Sequence, residues 1–161
     1  MKKSILSELH RGKELSPYES FDATWTVIVK IANHLSKKAE EFERLSDLFR
    51  TVSDATAAKV LSLPAVDQLL DLDPPLEEVQ SGYEHERLNP KLIERKIALI
   101  RASRTAKPSI AFIEMMSILK RIRNRRAHGF KSPDNARDVI ILKASATILH
   151  ALGTELANGL T

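Results

Sequence analysis

Apolar residues recur along this chain at intervals of three and four, the spacing that gathers them on one face of an α-helix. Phe21, Trp25, Ile28, Ala32 and Leu35 form such a stripe, and Ala39, Phe42, Leu45, Phe49 and Val52 continue it. No breaker interrupts Tyr18 to Leu61, so the spacing predicts one long helix opening at Pro17, or two joined near Lys37-Lys38. Ile93, Ile97 and Ile100 mark a helix starting at Pro90, and Phe112, Met116 and Leu119 another from Pro108 to about Ala127. The last helix is expected from a cap at Ser132 to about Ala157. It is apolar over a wide arc (Val139, Ile140, Leu142, Ile148, Leu149, Leu152, Leu156), with a polar stripe at Lys143, Thr147, His150, Thr154 and Asn158. Such breadth implies burial on two sides, either wholly within a bundle or partly against a second subunit.

The punctuation agrees. Ser16-Pro17-Tyr18-Glu19 reads as a capping box, with serine at the cap and glutamate three residues on. Asn89-Pro90 and Ser132-Pro133-Asp134 repeat the cap-then-proline order, as does Asp73-Pro74. No alternating β-branched run argues for strands. The expected fold is an all-α helical bundle with four to five main helices in a single domain over residues 1–161. Residues 55–88 are less regular and acidic (Asp67, Asp71, Asp73, Glu77, Glu78, Glu84, Glu86), broken by Pro64, Pro74-Pro75 and Gly82. They read as short helices and loops packed on the bundle, or as a mobile insertion. Gly129 stands where a left-handed helix cap would fall. The short connection Phe130-Lys131 then favours an antiparallel hairpin of the last two helices, with His128 at its tip.

Composition narrows the chemistry. The chain has 161 residues, 43% hydrophobic and 29% charged, the balance of a soluble globular domain. It contains no cysteine, which excludes disulfides, thiolate metal sites and cysteine nucleophiles and fits a cytoplasmic location. The apolar stretch after Lys2-Lys3 is too short for a signal peptide, and no apolar run is expected to span a membrane.

Charge changes the picture at one place. Lys120, Arg121, Arg123, Arg125, Arg126 and Lys131 put six positive charges between positions 120 and 131 with no acid among them, in a chain of net charge +4. Everything else therefore sums to about −2, and the positive charge is concentrated at the end of one predicted helix. His128 lies inside this cluster. Clustered guanidiniums beside an imidazole suit a phosphodiester: donors for phosphate oxygens, and a group that moves protons near neutral pH. One more step along the stripe Phe112, Met116, Leu119 lands on Arg123, which must reach water, find a partner or line a cleft. Asn124 and His128 are four apart and share a face if the helix persists. Arg123 and His128, five apart, converge only if the helix breaks at Gly129 or if two copies meet across a two-fold axis.

The segment Arg123-Asn124-x-x-x-His128 resembles the arginine–polar–spacer–histidine motif of HEPN domains, and Ala127 and Gly129 are also common choices there. The specific match covers about seven residues; beyond it, length and helical order agree. The resemblance implies an all-α homodimer and a metal-independent endoribonuclease, of the kind found in toxin–antitoxin or antiphage systems, with RNA as substrate and a cognate antitoxin as a further partner. It implies that His128 is the acid/base, Arg123 the phosphate clamp and Asn124 the orienting residue, with no cofactor or metal. Lys120, Arg121, Arg125, Arg126 and Lys131 would then supply RNA backbone affinity.

Plainer accounts exist for each feature. Basic residues in a last helical turn complement the macrodipole, and a histidine before a cap glycine does the same. Trp25 suits a core. His10, His34, His85 and His150 have no partner at catalytic spacing, and the acidic segment suits a solvated surface. A HEPN-like dimer that binds RNA or a nucleotide, or scaffolds a partner without cleaving, fits the same residues. A helical DNA-binding regulator fits less well, because the last helix is too apolar to lie in a groove.

Overall fold

A computed structural model of the chain describes residues 1–72, 76, 91–127 and 136–160, with 91 and 125–127 described by their backbone alone. The described residues form eight helices and no strands: α1 (Lys2–Gly12), α2 (Pro17–Leu35), α3 (Glu41–Arg50), α4 (Asp54–Leu61), α5 (Pro64–Leu70), α6 (Lys91–Ser103), α7 (Pro108–Ala127) and α8 (Ala136–Asn158). The all-α expectation is met with more helices than the four to five that the stripes suggest. The caps at Asn89, Ser132 and Asp73 lie outside the described residues, as does Gly129.

The extra helices have local causes. The Ser16 hydroxyl accepts from the Glu19 amide and Pro17 occupies the first turn, so α2 begins at the expected serine cap. The stretch from Tyr18 to Leu61 is then three helices rather than one or two. Ser36 ends α2 in an extended conformation, and its hydroxyl donates to Asp47 at 3.0 Å. Ser53 caps α4 by accepting from the Thr56 amide. The apolar stripe loses its register at the first break: Phe21, Trp25, Ile28 and Ala32 are buried, whereas Leu35 and Phe42 are more than half exposed. Leu45 and Phe49 then re-enter the core with α3. No stripe announces α1, which buries only Ile5, Leu9 and Gly12.

The short segments α4 and α5 pack on the bundle through Ala57, Val60, Leu61, Val66 and Leu69. Two of the acids expected to be merely solvated are clasped there. Arg104 reaches Asp67 through both guanidinium nitrogens, at 2.6 and 3.3 Å, and also donates to the Leu61 carbonyl. Arg101 donates to Asp71 and to the Leu70 carbonyl. The Arg104 hydrogen bond holds the Asp67 carboxyl below the usual range, against a smaller opposing effect of burial.

Helix α8 is the axis of one half of the molecule, packed chiefly on α2 and also on α1, α4 and α5. Helix α7 packs on α6, α4 and α3, with Phe49 edge-on to Phe112 at 6.1 Å. The last two helices, expected to lie side by side as a hairpin, thus take their main partners elsewhere, and α4 touches both. The wide apolar arc of α8 needs many neighbours, and four helices of its own chain supply them; Ile140 alone of that arc stays largely exposed. By length and composition α8 could cross a membrane (mean hydropathy 1.4 over its most apolar window), contrary to the expectation that no run approaches a span. Half of that window is buried inside the bundle, as in the core helix of a globular protein.

Candidate nucleic-acid interface

Helix α7 carries two neighbouring apolar rows. Phe112, Met116 and Leu119 form one, and Ala111, Met115, Ile118 and Ile122 the other; all are buried. At its C-terminal end Ile122 stays buried whereas Arg123 does not. Lys120, Arg121, Arg123 and Asn124 therefore emerge half-buried around the rim of a single turn.

Geometry at this rim comes from α3. The Arg123 side chain is 41% exposed; its guanidinium approaches Glu41 at 3.9 Å and donates to the Asn124 side-chain oxygen at 3.4 Å. Both contacts are long, so the guanidinium keeps donors for another acceptor. The Lys120 ammonium sits 3.6 Å from the centre of the Phe42 ring, a cation–π contact worth roughly 0.5–1 kcal/mol at an exposed position. Burial pushes the Lys120 ammonium below its ordinary range, repulsion by Arg121 and Arg123 adds to this, and Glu41 opposes it. That mutual repulsion shows how crowded the positive charge is.

The structure thus brings together Lys120, Arg121, Arg123 and Asn124 on one turn. Arg125 and Arg126 belong to the same helix, but their side chains lie outside the described part, as do His128 and Lys131 entirely. Two residues that sequence reasoning missed complete the rim. Phe42 is 58% exposed, not core as its stripe implies, and Glu41 stands opposite Arg123. Only the break after α2 signals their exposure, through the paired Lys37-Lys38 where the stripe could have ended. Among the described residues no group of three or more His, Asp or Glu could hold a metal ion.

No family model, curated protein or solved structure matches this chain.

Proposed function

We propose that this chain is a HEPN-type, metal-independent endoribonuclease that acts as a homodimer, with the C-terminal end of α7 as its site. The observation that carries the reading is the single turn of Lys120, Arg121, Arg123 and Asn124, which presents three cations and an amide beside the exposed ring of Phe42. Guanidiniums and ammoniums neutralise phosphates. Phe42 is more than half exposed although Lys120 lies over one face of its ring, so ring surface remains for an unpaired base.

In the proposed reaction His128 takes the proton of a ribose 2′-hydroxyl. The 2′-oxygen attacks phosphorus, the bond to the 5′-oxygen breaks, and that oxygen takes up a proton from water, to which His128 gives back the proton it took. The products are a 2′,3′-cyclic phosphate and a 5′-hydroxyl. Arg123 stabilises the negative charge that builds on the phosphoryl oxygens, and Asn124 orients His128 or the phosphate. Arg125, Arg126 and Lys131 add backbone affinity. Sharing the site between two subunits would bring Arg123 of one to His128 of the other. A cognate antitoxin would cover the same basic surface.

Incubation with total RNA in EDTA, beside His128→Ala and Arg123→Ala, tests the reading. Cyclic-phosphate ends with the wild type alone support it. RNA that is bound but left intact by all three proteins would favour a non-cleaving RNA-binding dimer, a reading that the Glu41 contact on Arg123 also accommodates.

A further inference from the structure

Where α1, α2 and α8 meet, a cavity of about 440 Å³ opens to solvent. Its polar lining comes from Lys13, Lys143, His150 and the hydroxyls of Ser20 and Thr147, and includes no carboxylate. Its apolar lining comes from Leu15, Pro17, Leu63 and Ala146. Lys13 and Lys143 are exposed, and neither makes an ion pair among the described residues. This contrasts with Lys30, Lys59 and Lys96, each held by a glutamate. Burial chiefly, and then the neighbouring Lys13, hold the half-buried His150 imidazole below its ordinary range, while a hydrogen bond with the backbone of Leu9 opposes this. Helix α2 also starts here, with Pro17 in its first turn; its N-terminal dipole favours an anion, partly offset by the exposed Glu19 of the same turn, which lies outside the lining. Leu15 is 43% exposed at the edge, which leaves apolar surface uncovered beside the cations.

We propose that this cavity is a binding site for a small phosphomonoester with a compact apolar body. Two unpaired lysines match the charge of a phosphomonoester, which carries about −1.5 to −2 at neutral pH. The Ser20 hydroxyl offers a further donor to its oxygens. The apolar wall accounts for the rest of the ligand: inorganic phosphate would leave Leu15, Leu63 and Pro17 facing water, and a neutral apolar molecule would leave the lysines uncompensated. The site shares no residue with the α7 turn, so it stands or falls independently of the ribonuclease reading.

Phenyl phosphate is the probe, titrated into the full chain while the His150 ring signals are followed by NMR. The expected result is a saturable shift of His150. Affinity should fall about tenfold in Lys13→Ala and again in Lys143→Ala, each loss being that of one charge-assisted contact. Both lysines are exposed, so these variants should fold as the wild type does. Phenol and inorganic phosphate should each bind at least tenfold more weakly than phenyl phosphate. Phenol binding as well as phenyl phosphate would overturn the anion assignment, and inorganic phosphate binding equally well would overturn the apolar one. No shift at His150 with millimolar phenyl phosphate would overturn the site altogether.

Discussion

Gly153 is the test of how the bundle is packed. It lies inside α8, where glycine costs about 1 kcal/mol relative to alanine, so Gly153→Ala should stabilise the helix by that amount if nothing else intervenes. The structure says something does. A Cβ at this position would lie 3.0 and 3.3 Å from the two Leu9 methyls and 3.5 Å from the Ile28 Cδ1. Leu9 of α1 is 1% exposed and packed against α8, so its methyls have little room to retreat. Overpacking of this kind costs about 1–3 kcal/mol, which exceeds the propensity gain and leaves a net loss of about 1 kcal/mol. Leu9→Ala alone should cost about 2–4 kcal/mol, by removing a fully buried side chain. In the double variant the alanine Cβ partly fills the space that Leu9 vacated, so the two losses should fall short of additivity by about 1–2 kcal/mol. Urea unfolding followed by the fluorescence of the buried Trp25 measures all three variants. If Gly153→Ala stabilises by about 1 kcal/mol and the two changes add, the close approach of α1 to α8 is wrong.

Three further outcomes follow from particular contacts. Arg104→Lys should destabilise by about 1–2 kcal/mol in the same unfolding assay, because an ammonium cannot serve both Asp67 oxygens and the Leu61 carbonyl; half of Asp67 is exposed, which keeps the figure low. Wild-type stability for the lysine variant would count against the fork geometry. Asp67 and His150 both have folded pKa values below their unfolded ones, so the unfolded chain binds the extra proton in each case. The Asp67 contribution is therefore present above about pH 4 and lost as pH falls through its folded value, and Arg104→Ala should flatten that acid limb. For His150 stability should drop as pH falls below about 6.5, and an NMR midpoint at or above that value would refute the burial assigned to its ring. Glu41→Gln frees Arg123 from an exposed partner and should tighten RNA binding about two- to fivefold at low salt; weaker binding would show that Glu41 assists the site.

What was legible in the sequence is what local spacing dictates. The cap at Ser16 and the inward isoleucines of α6 needed no tertiary information, since caps and stripes act within a few residues. Helix α1 escaped notice because only Ile5 and Leu9 of its side chains are fully buried, with Leu6 partly so, too few to make a stripe. Asp67 of α5 and Asp71 just beyond it could not be matched with Arg104 and Arg101, because pairing across distant segments leaves no mark on either one.

Arg123 shows the same limit at the proposed site. Its place four residues beyond Leu119 puts it on the inner stripe, and extrapolation there would bury a charge. A straight helix of 3.6 residues per turn presents two adjacent rows, however, and at this end only the row that closes on Ile122 stays buried. Arg123 is thereby rotated to the rim, where α3 meets it with Glu41, and where the break after α2 has turned Phe42 outward beneath Lys120. The arginine could be read from the motif alone. The ring and the carboxylate that set its surroundings depend on where α3 begins, and the stripe runs straight through that break without marking it.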